Sequence, residues 1–152
     1  QYDDAVELYN EKFAKPAKKV MDTLSAEGLI TKAPFDDKIE WTFFFLWHHE
    51  GRRARMGASM MAPDYTQWHG FFEIADRFYN ELIPEARELG HGNKKVQAVI
   101  DSVLDMDLHR WKQGMSPEEM KMVRKYYKDR YGQDVGSPDG AAQGSKKGEA
   151  HK

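Results

Sequence analysis

The sequence predicts an all-α chain, and three observations predict it. Apolar residues recur at spacings of three and four, no stretch alternates apolar and polar residues, and helix-start and helix-stop residues divide the periodic segments. The expected architecture is an elongated bundle of about five helices, a helical domain over 1–132, followed by a disordered tail over 133–152. Its longest helices are expected to pack against partner chains, because the apolar face of residues 65–82 is wider than one neighbouring helix would cover.

The first helix is expected from Asp3 or Asp4 to Glu27, with Val6, Tyr9, Phe13, Val20 and Leu24 as its stripe. Acidic residues in its first turn suit the helix dipole, Pro16 should kink or divide it, and Gly28 should stop it. Pro34 makes 31–37 a linker, after which Asp36 or Asp37 can cap a second helix over 38–61. Asp64 is placed to cap a third helix from Tyr65 to about Leu82, with a face of Trp68, Phe71, Phe72, Ala75, Phe78, Tyr79 and Leu82. Asn93 can cap a fourth helix, whose Val96, Val99, Ile100, Val103 and Trp111 keep helical spacing until Gly114 ends it. Ser116-Pro117-Glu118-Glu119 is a capping box with proline in first position, opening a fifth helix that ends at Gly132. Beyond it, Gly, Ser, Ala, Lys and Asp dominate, too little apolar content to order the tail.

A chain of 152 residues can bury a real core as one domain. Its net charge of −2 implies neither nucleic acid nor an anionic membrane as a general partner. No apolar run approaches the ~20 residues that span a bilayer. No signal peptide is visible, and the start at Gln1 suggests a processed N-terminus, so export stays open. The absence of cysteine excludes disulfides, thiolate metal sites and the C-x-x-C-H attachment of c-type heme.

The stretch WHHEGRRARMGASMMAPDYTQWHG, residues 47–70, concentrates the chemistry. Three of the six histidines fall here, with three arginines, two tryptophans and three methionines. Cationic and imidazole groups are costly to bury, so this composition suits contact with a flat, anionic, redox-active ligand such as heme. His48 and His49 project about 100° apart on one helix, and no H-x-x-x-H, H-E-x-x-H or paired E-x-x-H pattern argues for a chelated metal. One imidazole, from His48 or His49, can complete a heme held elsewhere. Arg52, Arg53 and Arg55 read either as a solvated face or as partners for propionates and other carboxylates. Met56, Met60 and Met61 read as core filler. Gly51, Gly57 and Gly70 suit close approach by another backbone or a flat ligand. Tyr65 shares a helix face with His69 and stands in a first turn, where its ring can project outward.

In residues 4–83, the opening helix DDAVELYNEKFAKPAKKVMDTLSAEGLI, the proline linker, the aromatic FFFLW helix and the turn into DYTQWHG resemble one known region. It is the region following the last heme-binding motif in octaheme cytochromes c of the hydroxylamine oxidoreductase family. The resemblance implies long helices packing into a trimer. It also implies that Tyr65 is the tyrosine which, in oxidative members, crosslinks to the catalytic heme of a neighbouring subunit. The surroundings of Tyr65, Pro63-Asp64 and Trp68-His69, differ from those of crosslinked members, and uncrosslinked members reduce nitrite or nitric oxide.

The implied function is that of a heme-free subunit in a split octaheme complex. Heme c would be carried by a cysteine-containing multiheme subunit in a trimer-based hetero-oligomer outside the cytoplasm. Tyr65 would be the catalytic residue, with His48, His49, Arg52, Arg53 and His69 bordering the cofactor. The alternative is a non-enzymatic helical adaptor that binds a protein through its aromatic groove.

Overall fold

The computed structural model describes residues 2–132, and the expected tail over 133–152 lies outside them. The described residues are helical throughout, apart from short connections, and contain no strand. Three long helices dominate: α1 (residues 2–26), α2 (residues 38–59) and α3 (residues 63–89). They are followed by α4 (Lys94–Leu104), a 3-10 stretch (Asp107–Gln113) and α5 (Pro117–Tyr131). The chain divides between Arg110 and Trp111 into two units. Among the described residues no helix is long and apolar enough to cross a membrane.

The long helices are not uniform α-helix. A π turn runs over Asn10–Ala14 in α1, another over Phe45–Glu50 in α2, and two over Gln67–Phe72 and Arg77–Leu82 in α3. Backbone bonds five residues apart mark them: Lys15 N–H donates to the Asn10 carbonyl, and Ile83 N–H to that of Phe78. The expected division of the helix at Pro16 does not occur, since residues 2–26 stay helical. Pro16 and Pro84 each stand two residues beyond a π turn, so the carbonyl a proline would leave without its i−4 donor lies inside a turn already spaced for i−5. Insertion of a looser turn lets each helix run through its proline.

Starts and stops follow the sequence more closely. Gly28 at φ +69° ends α1, and Leu29 N–H reaches back to the Leu24 carbonyl at 2.9 Å. Asp37 caps α2, its N–H meeting Glu40 Oε2 at 3.3 Å. Asn93 Oδ1 accepts from the backbone of Lys95 and Val96, and Ser116 with Glu119 closes the capping box of α5. Asp64 is not a cap, because Pro63 already occupies the first position of α3. Helix α4 stops at Leu104, ten residues before Gly114, and the chain turns so that His109 enters the core.

Within the first unit, α1, α2, α3 and α4 share one core. Tyr9, Phe13, Val20 and Leu24 of α1 bury against Ile39 and Leu46 of α2, Ile74, Phe78 and Leu82 of α3, and Ile100 of α4. Each such side chain contributes roughly 1.5–3 kcal/mol when removed from water. At the centre the His109 ring stacks on Phe78 at 5.2 Å, and its Nδ1 lies 2.5 Å from the Tyr79 hydroxyl. The second unit contains α5, a helix with no buried side chain, on which Tyr126, Tyr127 and Tyr131 form a ring ladder.

Glycines set how closely α2 and α3 cross. Gly57 faces Thr66, and Gly70 faces Ala54. Two backbones, rather than a flat ligand, take up the space at these positions.

Candidate functional site

The expected apolar face of α3 divides into two parts. Phe78, Tyr79 and Leu82 are buried, but Trp68 and Phe72 stay 61% and 57% exposed, their rings 5.1 Å apart. Tyr65, half-exposed on the first turn, continues the same surface. Met56, Met60 and Met61 are not core filler: all three are exposed, Met61 90%, in the α2–α3 connection where its φ of +54° turns it outward. Together these side chains make an exposed apolar and aromatic surface.

His69 lies within this surface, its ring 5.6 Å from that of Tyr65. Its Nδ1 is 3.0 Å from Oε1 of Glu73, whose Oε2 accepts from Arg53 Nη1 at 2.7 Å. Glu73 favours the tautomer with hydrogen on Nδ1 and leaves Nε2 as the free lone pair. A carboxylate on the far nitrogen is the usual support of a histidine that ligates metal or passes protons. Glu73 was not among the residues singled out from sequence, although its position four after His69 on one helix was the available signal.

The remaining candidates separate. His48 stacks on Phe44 at 4.6 Å with rings nearly parallel, and its Nδ1 is buried without a hydrogen-bond partner. Burial first, then Arg52 and His49, lower its pKa below that of an ordinary histidine. His49 lies on Phe45 and borders a cavity between α2 and α3. The two imidazoles lie 5.3 Å apart, edge to face, within the π turn. Arg53 is committed to Glu73, while Arg55 donates to the Gly51 carbonyl and covers the Tyr9 ring. Arg52 is exposed.

These residues have the chemistry to meet a planar anionic group. Tyr65, Trp68 and Phe72 offer flat apolar contact, His69 a supported imidazole, and Arg52 an exposed guanidinium. His48 fits an axial role less well, because nothing bonds its second nitrogen. With no cysteine in the sequence, this chain itself cannot bind c-type heme covalently through thioether bonds. Asp36, which is exposed, and the half-buried Asp37 and Glu40 form an acidic group of their own, away from these residues in sequence. No family model matches the chain, and no curated protein or solved structure is similar to it.

Proposed function

We propose that the chain is the heme-free component of an octaheme cytochrome c complex of hydroxylamine oxidoreductase type. It packs against a cysteine-containing multiheme subunit in a trimer-based hetero-oligomer outside the cytoplasm. The observation that carries this reading is the Tyr65–His69–Glu73 arrangement on an exposed aromatic surface. The partner's heme would supply the iron that binds a small nitrogen species and the route for electrons. Trp68 and Phe72 then exclude water from the contact, and Arg52 pairs with carboxylates presented to it. His69 presents Nε2 for proton transfer or ligation, with Glu73 fixing the ring. Tyr65 places its phenol beside that imidazole. The substrates are nitrite or nitric oxide in the reductive direction, hydroxylamine or hydrazine in the oxidative one.

Native purification followed by an absorption spectrum tests the proposal. A Soret band that follows this chain through size exclusion, with a second, heme-staining chain on the gel, is the expected result. Denaturing mass spectrometry then reads whether Tyr65 carries a heme peptide. A colourless complex overturns the reading and favours a helical adaptor. The exposed rings of Phe35, in the linker before α2, and of Trp41 and Trp47 on α2 would then be the docking face.

A further inference from the structure

A cavity of about 810 Å³, sharing no residue with the one that His49 borders, opens between the first turns of α1 and the α2–α3 connection. Its volume falls within the range of small-ligand sites. Ala5 and Leu8 of α1, Ala58 of α2, Met61 and Ala62 of the connection and Ala75 of α3 make the wall apolar. The buried Phe13 ring also belongs to the wall, and it is already engaged edge-on with Phe78 and Tyr79 in the core. Alanines and a flexible methionine around such a space suit an aliphatic chain, because a thioether side chain adapts to the shape it meets.

Lys12 sets the polarity of the space. It is a half-buried member of the same wall, on the π turn Asn10–Ala14, and its Nζ stands 5.6 Å from the centroid of the Phe13 ring. Among the described residues no carboxylate pairs with it, whereas Lys15 and Lys18, farther along the helix, each hold one. Burial lowers its pKa, as expected of an ammonium that has lost water without gaining a counter-charge. Asp4 is the one acidic residue among the described ones that line the cavity. It precedes Lys12 by about 12 Å of helix, at about 1.5 Å per residue. A carboxylate is therefore drawn to the Lys12 end and repelled from the Asp4 end. The opposite wall takes Gln67 and Phe71 from the π turn Gln67–Phe72, and insertions of this kind recur at functional sites.

We propose that this cavity binds a free medium-chain aliphatic monocarboxylate, such as octanoate or decanoate, with its carboxylate on Lys12 Nζ and its tail along α1 towards Asp4. The tail would cover Leu8 and Met61, which are 40% and 90% exposed without it. The site does not depend on the heme reading.

Titration of the folded chain with hexanoate, octanoate, decanoate and dodecanoate below their micelle concentrations, read by calorimetry and by methyl NMR of Ala58, Met61 and Ala75, tests it. Affinity should rise about fourfold for each buried methylene and then level once the tail outgrows the cavity. Octanoate should bind about tenfold more tightly than octanol, which has no charge, and than suberate, whose second carboxylate would meet Asp4. Lys12→Met should bring octanoate down to the level of octanol and leave octanol unchanged. If Lys12→Met does not fold, octanoate should still raise the pKa of the Lys12 ammonium in the parent chain, followed by nitrogen NMR, and an unmoved pKa overturns the proposal. A cavity that takes octanol as tightly as octanoate is an apolar contact face for another protein, which also overturns it. So does affinity that climbs without levelling, the mark of partition onto apolar surface, and so does octanoate binding unchanged in folded Lys12→Met.

Discussion

A Cβ placed on Gly70 would stand 2.6 Å from the Cα of Ala54, closer than any real contact. The two residues fix the crossing of α2 and α3, and that crossing carries both the Tyr65 surface and the cavity lined by Gly57 and Thr66. Backbone on backbone leaves no flexible side-chain end to move aside.

Gly70→Ala is therefore expected to destabilise the chain although alanine is the better helix former. Overpacking costs about 1–3 kcal/mol, and the propensity gain returns about 1 kcal/mol. A net loss of up to about 2 kcal/mol in urea unfolding is the expected result. Gly57→Ala, which meets the Thr66 backbone nitrogen at 2.8 Å, should lose stability in the same direction.

The pair of His69 and Glu73 should matter to chemistry and hardly at all to stability. Both side chains are well exposed, so the ion pair contributes at most about 1 kcal/mol. Glu73→Gln should leave the unfolding midpoint nearly unchanged, and nitrogen NMR of His69 at neutral pH should show hydrogen moving from Nδ1 towards Nε2. A tautomer ratio equal to that of the parent chain would mean that Glu73 does not orient the ring.

Burial reverses that balance for Glu50 and Arg77. Their side chains are only 5% and 24% exposed, and removing Arg77 strands the Glu50 carboxylate, whereas removing Glu50 leaves Arg77 its bond to Glu81. Arg77→Ala, which leaves the Glu50 carboxylate buried and unpaired, should cost about 3–5 kcal/mol, the range for broken buried pairs. Arg53→Ala, which breaks a pair with both members over a third exposed, should cost less than about 1 kcal/mol. Equal costs for the two would place Glu50 in solvent.

The fold was legible where local chemistry decides it. Gly28, Asp37, Asn93 and the Ser116–Glu119 box all act as terminators or caps. Pro16 misled because the remedy for a proline, a π turn, depends on i−5 bonding that no residue type announces. Helix α3 ran on to Leu89 for the same reason, past Pro84. In the site, Tyr65 and His69 were legible from their spacing of four. Glu50 joined to Arg77 was not, since those residues lie 27 apart and meet only once two helices have packed. The methionines misled because their apolar character indicates burial without saying whether this chain or a neighbour covers them.

The last prediction concerns pH and His48. Burial, Arg52 and His49 all oppose its protonation, so its folded pKa lies below its unfolded value of about 6.5. As pH falls through that value, the unfolded chain takes up the proton first, and stability declines until pH passes the folded pKa. Glu27 works in a different window. Hydrogen bonds from Lys95 and Asn93 lower its pKa, so its contribution is present above the ordinary carboxylate range and is lost only in stronger acid. His48→Phe keeps a ring on Phe44 and removes the titrating nitrogen. The variant should lose less stability than the parent chain as pH falls through the ordinary histidine range. Urea midpoints across this range read the difference directly. Parallel decline over the whole range would show that the His48 ring is as well solvated in the folded chain as in the unfolded one.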